Sequence, residues 1–344
     1  MYLPRPVGLA GLRTWVPREV QTAPEAVRLG LVDVETADEL GYGQLPVAAI
    51  SAPEMAVLAA RRALASTPWT AAEIGLVLHS HIYYQGHDMW SPAHYIADQL
   101  ELANAVPMGV AQLCNGGAAA LGIAIAQQAA DPEYGPALVT TADRFADTGF
   151  DRWRGDYGLA YGDGATAVVV QPPGCDLPAE LTLHAITTAA AADLESMHRG
   201  QDAFAPAARS AHSRVDLRRT KKAFFETKGM ETFVRVSGEK LRTVVRGCLE
   251  HHEKTARQAA SLRYVILPRL GLKTLHMAYF PVIQAMTSAQ VLVSGQDTGH
   301  LGAGDAAAGL AELWRDRLLQ PGERALVISA GAGFTWSCLL VGRD

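Results

Sequence analysis

The stretch Val110-Ala-Gln-Leu-Cys114-Asn-Gly-Gly-Ala-Ala119 decides how the rest of the chain is interpreted, because an apolar run ends there at a cysteine. Small residues follow Cys114 and open a predicted helix over residues 116–129. A thiol at a helix N-terminus lies at the positive end of the helix dipole, which favours the thiolate. Such a thiolate can attack a thioester and hold the acyl group. The alternative, a buried and unreactive cysteine, stays open on this segment alone.

The composition is that of a globular chain of 344 residues, of which 49% are hydrophobic and 19% charged. The cysteines stand far apart without a Cys-x-x-Cys pair, so the sequence predicts neither a disulfide framework nor a metal site. This usage fits a reducing cytoplasm, and Cys175, Cys248 and Cys338 are expected to be unreactive. A net charge of -5 argues against a general nucleic-acid binder. We see no secretory signal, and the longest apolar stretch is too short for a membrane span, so we expect a cytoplasmic protein without membrane contact.

Short apolar runs between turn signals alternate with segments of helical periodicity along the chain. The predicted strands are residues 75–79, 137–141, 165–170, 264–267, 290–293, 325–329 and 336–341. The predicted helices are residues 53–65, 116–129, 238–258 and 306–319. This alternation predicts an α/β protein.

The order of these elements suggests an internal repeat. Cys114 and His300 occupy corresponding places, each just before a helix that leads into a strand. A duplicated fold with halves at residues 1–172 and 173–344, and an active site between them, would explain the correspondence. Ordinary alternation of strands and helices is the competing explanation, and the pattern alone does not decide between them.

Two glycine-rich turns complete the set of motifs. Tyr161-Gly-Asp-Gly-Ala165 precedes a valine-rich strand, and Gly331-Ala-Gly-Phe-Thr-Trp336 follows one. Each alone is a weakly specific turn. The second turn has the backbone freedom to aim N–H groups at an oxyanion beside a nucleophile.

Together, in order and spacing, the Cys114 segment and these two turns resemble the ketoacyl synthase III family of the thiolase superfamily, over residues 7–341. The resemblance implies a thiolase-like five-layered α-β-α-β-α sandwich of two duplicated halves, and a homodimer. It also implies an acyl-coenzyme A or acyl-carrier-protein thioester as substrate, with no permanently bound cofactor. The backbone N–H groups of Cys114 and Gly333 are the expected oxyanion donors.

Two positions depart from the family pattern. Condensing members carry a histidine and an asparagine that stabilise the enolate formed when malonyl thioester loses carbon dioxide. Here Leu267-Pro-Arg269-Leu-Gly271 places Arg269 at the histidine position. Asp297-Thr-Gly-His300-Leu-Gly-Ala-Gly-Asp305 places His300 at the asparagine position. Both changes affect the decarboxylation machinery, so the sequence argues against ordinary carbon–carbon condensation.

The remaining residues are the components of a Cys-His-Asp triad. His300 can take the proton from an attacking alcohol or amine, and a carboxylate on its other ring nitrogen would fix the tautomer. Asp305 stands five residues after His300 and is the candidate for that carboxylate. Asp305 also directly precedes a predicted helix and would serve as a helix cap, a role that does not exclude the first.

The rearranged site resembles a subgroup of acyltransferases from aromatic-polyketide and glycosylated antibiotic pathways. It implies that an acyl group, malonyl by resemblance, passes from coenzyme A or a carrier protein through S-acyl Cys114 to a hydroxyl of a polyketide or sugar acceptor, without decarboxylation. One alternative is a starter-unit ketoacyl synthase III that forms a carbon–carbon bond. Another is a non-catalytic acyl-binding fidelity partner.

Three further residues are candidates for substrate binding. Arg269 either fills the space of the missing histidine with a structural ion pair or grips an acyl carboxylate. Arg154 lies close to where the family has an arginine that clamps the adenine of coenzyme A. Trp90 lines the acyl pocket, the dimer interface or the core. The basic segment 205–222 is either a solvated loop or a docking face for an anionic partner.

Overall fold

The computed structural model describes residues 2–146, 148–210, 212–255 and 260–344. The strands are β1 Tyr2–Trp15, β2 Val20–Thr22, β3 Gln44–Pro46, β4 Leu76–Ser80, β5 Val106–Val110, β6 Ala137–Asp143, β7 Gly164–Val170, β8 Leu181–Ala190, β9 Ser261–Ile266, β10 Gln290–Leu292, β11 Glu323–Gly331 and β12 Thr335–Gly342. The helices are α1 Ala23–Arg28, α2 Val34–Leu40, α3 Ala52–Leu64, α4 Pro92–Gln99, α5 Gly116–Ala130, α6 Ser196–Arg199, α7 Leu217–Lys228, α8 Met230–Thr255, α9 Leu272–Thr274, α10 Phe280–Gln284 and α11 Asp305–Arg315.

Ten strands of the described residues form one sheet, a ladder of strands with the same pattern of pairings on each side of its centre. Its order is β10-β9-β11-β12-β8-β1-β7-β6-β4-β5, and a small separate pair joins β2 to β3. From the centre outward, each side has two antiparallel pairings followed by two parallel ones: β1-β7-β6-β4-β5 on one side and β8-β12-β11-β9-β10 on the other. The duplicated strand order supports the repeat. The exact boundary at residues 172 and 173, in the link between β7 and β8, stays a prediction.

Helices cover both faces of the strands, which is why most strands are apolar on both sides. Helices α5 and α11 share the central hydrophobic cluster with strands of both halves, through residues such as Leu121 and Leu310. Helix α3 packs on the opposite face of the first half, and α8 on that of the second. Along β4, Leu76 and Leu78 face the central cluster while Val77 faces α3. This layering is the thiolase-like architecture expected from the sequence.

Several predicted bounds differ from the structure. The helix predicted at 306–319 ends at Arg315. The helix predicted at 238–258 begins earlier, at Met230, and residue 258 lies outside the described residues. Strands β1 and β8, which pair with each other at the centre of the ladder, were not predicted. Prolines and glycines interrupt the pattern of β1, and its register shifts between Ala10 and Arg13.

No helix in the described part of the chain combines the length and apolar character that crossing a membrane requires.

Candidate active site

Cys114 lies on a tight turn between β5 and α5. The turn spans Leu113–Asn115, and the cysteine is half-buried. Leu113 has φ 47°, a left-handed conformation that a leucine adopts only under local strain. The Asn115 amide anchors the turn by donating to Gln112 Oε1 at 2.6 Å and to Ser337 Oγ at 3.0 Å. The thiol is therefore held directly in front of a helix, as its sequence predicts.

The backbone of the second half of the chain approaches the helix behind Cys114 closely. A Cβ on Gly117 would lie 2.6 Å from the carbonyl oxygen of Ala303, so only glycine leaves room for that contact. Ala303 belongs to the short turn Gly302–Gly304 that leads into α11. The helix behind Cys114 thus packs directly on the segment that carries His300 and Asp305.

His300 and Asp305 form a buried hydrogen-bonded pair. His300 Nδ1 lies 2.7 Å from Asp305 Oδ2. The carboxylate also accepts from the N–H of Leu301 at 2.9 Å and from the N–H of Arg269 at 2.9 Å. Because Asp305 turns back toward His300 from the first residue of α11, it orients the imidazole by short, fixed contacts.

The electrostatics of the pair favour a charged imidazolium. Burial lowers the pKa of His300, but the charges of Asp305 and Cys114 outweigh it and raise that pKa well above its usual value. Burial raises the pKa of Asp305, but the neighbouring His300 holds it below its ordinary value. The Cys114 side chain is therefore close enough to the His300 imidazole to raise its pKa.

The second ring nitrogen of His300 is the atom free for chemistry. Since Nδ1 faces the Asp305 carboxylate, Nδ1 is assigned the proton in the neutral ring. Nε2 is buried and has no hydrogen-bond partner among the described residues. Such a nitrogen can receive a proton from a group placed against it.

The Tyr161-Gly-Asp-Gly turn clamps the backbone of His300. The N–H of His300 donates to the Ala160 carbonyl at 2.9 Å, and the N–H of Gly162 donates to the His300 carbonyl at 3.1 Å. The Tyr161 ring meets the imidazole edge-on, with ring centroids 5.2 Å apart. This positioning role of the turn is not visible in the sequence.

Asp163 in the same turn has a structural role. It forms a buried ion pair with Arg152, at 3.3 Å, and accepts from the N–H groups of Ala48 and Phe145 at 2.8 and 2.7 Å. These contacts tie the turn to two neighbouring loops. They keep the clamp on His300 in place.

The turn between β11 and β12 lies over the Cys114 turn. A Cβ on Gly331 would lie 2.5 Å from the backbone nitrogen of Asn115. Gly333 has φ +121°, and a Cβ there would meet no atom of the described residues within 4 Å. Open space beside Gly333 suits an approaching substrate, but the oxyanion role of its N–H stays a prediction.

Arg269 is fully engaged in the protein interior. Its guanidinium donates to Glu312 Oε1 at 2.5 Å, to the Asp305 carbonyl at 2.9 Å and to Thr298 Oγ1 at 3.2 Å, and its side chain is buried. A guanidinium engaged in this way is not available to a substrate carboxylate. The structure therefore favours the structural ion pair over the substrate-binding role.

Arg154 and Trp90 lie at the surface of the protein. The Arg154 side chain is half exposed, pairs with Asp151 at 3.1 Å and donates to the Gly30 carbonyl at 3.3 Å. Trp90 is 39% exposed and contacts the rings of His87 and Tyr95, which rules out a core position. Their roles toward coenzyme A, the acyl pocket or a second subunit stay predictions.

Local partners occupy several cations of the basic segment 205–222. Arg219 pairs with Asp202, and Lys221 pairs with the buried Asp156. Arg209 lies over the rings of Tyr83 and Tyr84. The segment is thus less available to an anionic partner than its composition suggests.

The chain has a ketoacyl synthase III-like fold of the thiolase superfamily. Residues 255–343 match the family described as 3-oxoacyl-(acyl carrier protein) synthase III, C-terminal. Over 341 residues, which cover 95% of this chain and 96% of the relative, 26% are identical to the β-ketoacyl-(acyl carrier protein) synthase III of Pasteurella multocida strain Pm70.

Among solved structures, the chain is similar to ChlB3, an acyltransferase, with a TM-score of 0.85 and 28% identity over 99% of this chain and 98% of the other. The 3-oxoacyl-(acyl carrier protein) synthase III from Aquifex aeolicus VF5 has a TM-score of 0.75 at 20% identity, over 98% and 99% of the two chains. The priming β-ketosynthase of the R1128 polyketide pathway has a TM-score of 0.74 at 21% identity, over 100% and 99%. The last two likenesses show the fold.

Proposed function

We propose that the protein is an acyltransferase that moves an acyl group from a coenzyme A or acyl-carrier-protein thioester, through S-acyl Cys114, to a hydroxyl of a polyketide or sugar acceptor. The observation that carries the proposal is the buried His300–Asp305 pair, which leaves Nε2 of His300 without a hydrogen-bond partner among the described residues. Cys114 is close enough to contribute to the raised pKa of His300. The 28% identity with an acyltransferase supports the reaction class.

In the first half-reaction the Cys114 thiolate attacks the thioester carbonyl. The backbone N–H groups of Cys114 and Gly333 would stabilise the oxyanion. The intermediate collapses to S-acyl Cys114, and the donor thiolate leaves with the proton that His300 holds on Nε2. His300 is then neutral, with its remaining proton on Nδ1 facing Asp305.

In the second half-reaction the acceptor hydroxyl attacks the acyl carbonyl of S-acyl Cys114. Nε2 of His300 takes the hydroxyl proton as the carbon–oxygen bond forms, and Asp305 stabilises the imidazolium. Collapse of the intermediate breaks the carbon–sulfur bond and releases the ester. It regenerates the Cys114 thiolate beside the imidazolium, which restores the starting state.

That a malonyl group would keep its carboxylate follows from the replacement of a catalytic histidine by Arg269. A condensing site uses a histidine at that position to stabilise the enolate left by decarboxylation, whereas the Arg269 guanidinium is buried and paired with Glu312. Malonyl as the acyl group rests on resemblance to the malonyltransferase of cervimycin biosynthesis, which acts on sugar hydroxyls. The half-exposed Arg154 is our candidate contact for the donor nucleotide.

We propose that a homodimer forms through the exposed edge of the sheet. Strand β5 ends the ladder, and its first residue, Val106, is 46% exposed. Leu113, three residues after this strand, is also exposed, as are Met89 and Trp90 in the loop before α4. An open apolar edge of this kind is a template for pairing with a second copy.

The test is product analysis with malonyl-coenzyme A labelled in its free carboxyl carbon and a panel of glycosylated and unglycosylated hydroxyl acceptors. Release of coenzyme A that depends on the acceptor, with the label in an ester product, supports the proposal. Labelled carbon dioxide and a β-ketoacyl product would support the starter-unit synthase instead, the activity for which the Pasteurella relative is named. A Cys114→Ala variant that leaves product formation unchanged would favour a non-catalytic acyl-binding role.

A further inference from the structure

Asp143, the last residue of β6, is a fully buried carboxylate beside the site. Its Oδ1 accepts from the N–H of Ile82 at 2.9 Å and from the N–H of Tyr83 at 2.8 Å. Its Oδ2 accepts from the N–H of Ala303 at 3.1 Å. One side chain therefore joins the loop after β4 to the turn that separates His300 from Asp305.

The contact with the His300–Asp305 turn is tight on both sides. A Cβ on Gly302 would clash with the Asp143 carboxylate, so the carboxylate packs on bare backbone there. The carbonyl of Ala303, whose N–H binds Asp143, faces Gly117 on the helix behind Cys114. A shift of the turn Gly302–Gly304 would therefore disturb both His300 and the helix behind Cys114.

The backbone around Asp143 offers three N–H donors to its two side-chain oxygens, a set that an amide cannot satisfy. Burial raises the pKa of Asp143 to about 7, and the three N–H donors and the charge of His300 limit that rise. An amide of the same shape has one oxygen for these donors, and its Nδ2 would face a further N–H. Such a donor–donor contact in a buried position is costly.

We infer that Asp143 is a positioning residue that fixes the His300–Asp305 turn against the loop after β4 and so sets the position of His300 toward Cys114. The inference rests on the proposed function, because the position of His300 matters for a reaction at Cys114. Asp143 acts through His300 and does not touch the substrate.

The test is a double-mutant cycle that reads Cys114 alkylation by iodoacetamide at neutral pH, so no natural substrate is needed. The four proteins are wild type, Asp143→Asn, His300→Ala and the double variant, each checked for folding by circular dichroism and thermal unfolding. Asp143→Asn should slow alkylation about tenfold when His300 is present. It should change the rate less than about twofold in the His300→Ala background, because a positioning role disappears with the group it positions.

Equal slowing in both backgrounds would mean a general structural role and overturn the inference, as would an unchanged rate in the single variant. If Asp143→Asn does not fold, Asp143→Ser removes the carboxylate without placing an amide against an N–H and gives the same comparison. If wild type takes up no acyl group from any thioester, the proposed function fails, but the alkylation cycle still reports on Asp143.

Discussion

Replacing Asp305 with asparagine tests the triad with the smallest change of shape. The carboxylate now serves three donors: His300 Nδ1, the N–H of Leu301 and the N–H of Arg269. An asparagine amide can satisfy one side of this set with its oxygen, and its Nδ2 then faces an N–H on the other side. If Nδ2 points to His300, it forces the tautomer with the proton on Nε2, which cannot accept a proton from the substrate.

The magnitude follows from the bond that is lost. A hydrogen bond to a charged group contributes about 1.5–3 kcal/mol, which corresponds to roughly ten- to 150-fold in rate if the transition state alone uses it. A wrong tautomer adds to this, and loss of an orienting carboxylate costs up to about 10⁴-fold in a serine-protease triad. We therefore expect Asp305→Asn to slow acyl transfer by at least about tenfold and by as much as 10⁴-fold.

The assay is single-turnover transfer from preformed S-acyl enzyme, followed by mass spectrometry across a pH series. Transfer by the variant should be slower at every pH, and the pKa of His300 should be lower, since Asp305 is a main cause of its elevation. Transfer at the wild-type rate from a folded Asp305→Asn protein would refute the assigned role of the carboxylate.

The same pair predicts how stability depends on pH. The pKa of His300 is raised above 6.5 in the folded state. The stability that this shift adds to the folded protein is therefore fully present below about pH 6.5, and it is lost as the pH rises through the pKa of His300 in the folded state. The pKa of Asp305 is lowered below 3.8, so its contribution is present above that pH and is lost as the pH falls through the folded value. Urea unfolding should show a loss of stability on the alkaline side that is smaller in Asp305→Asn, and identical slopes would contradict this.

Three further substitutions test the scaffold around the site. Arg269→Ala leaves Glu312 without its buried partner and should lower the free energy of unfolding by about 3–5 kcal/mol in urea titrations. If the folded variant were equally stable but bound the donor more weakly, the substrate-binding role would return. Gly117→Ala should destabilise the protein by about 1–3 kcal/mol and slow the S-acylation of Cys114. The control Gly122→Ala lies in the same helix, where a Cβ would make only ordinary contacts, and should have neither effect. Equal effects of the two substitutions would contradict the argument that Gly117 is needed for the close approach to Ala303. Val106→Lys should convert a dimer to monomers in sedimentation experiments, and an unchanged mass would place the interface elsewhere.

The parts of the site that the sequence predicted are encoded over short distances. Cys114 stands just before its helix and His300 stands five residues before Asp305, so each motif is short, and the resemblance of these motifs to the ketoacyl synthase III family carried the prediction. The internal repeat was suggested by the sequence because the same alternation of strands and helices occurs twice along the chain, and the duplicated strand order supports it.

What the sequence did not predict depends on contacts between distant segments. The sequence alone leaves two roles open for Arg269, because its partner Glu312 stands 43 residues further along the chain. Asp143 reads as the polar end of a strand, and its three backbone partners come from two other loops. Strand β1 was missed because proline and glycine mask a strand that lies between two partners at the centre of the ladder.

The most direct test of the central claim is the intact mass of the protein after mixing with malonyl-coenzyme A, with Cys114→Ala as the control. The proposed function predicts an adduct that keeps the full malonyl mass on the wild type and is absent from the control. An adduct reduced to the acetyl mass would show that decarboxylation survives without the usual histidine, and it would contradict acyl transfer with the carboxylate retained.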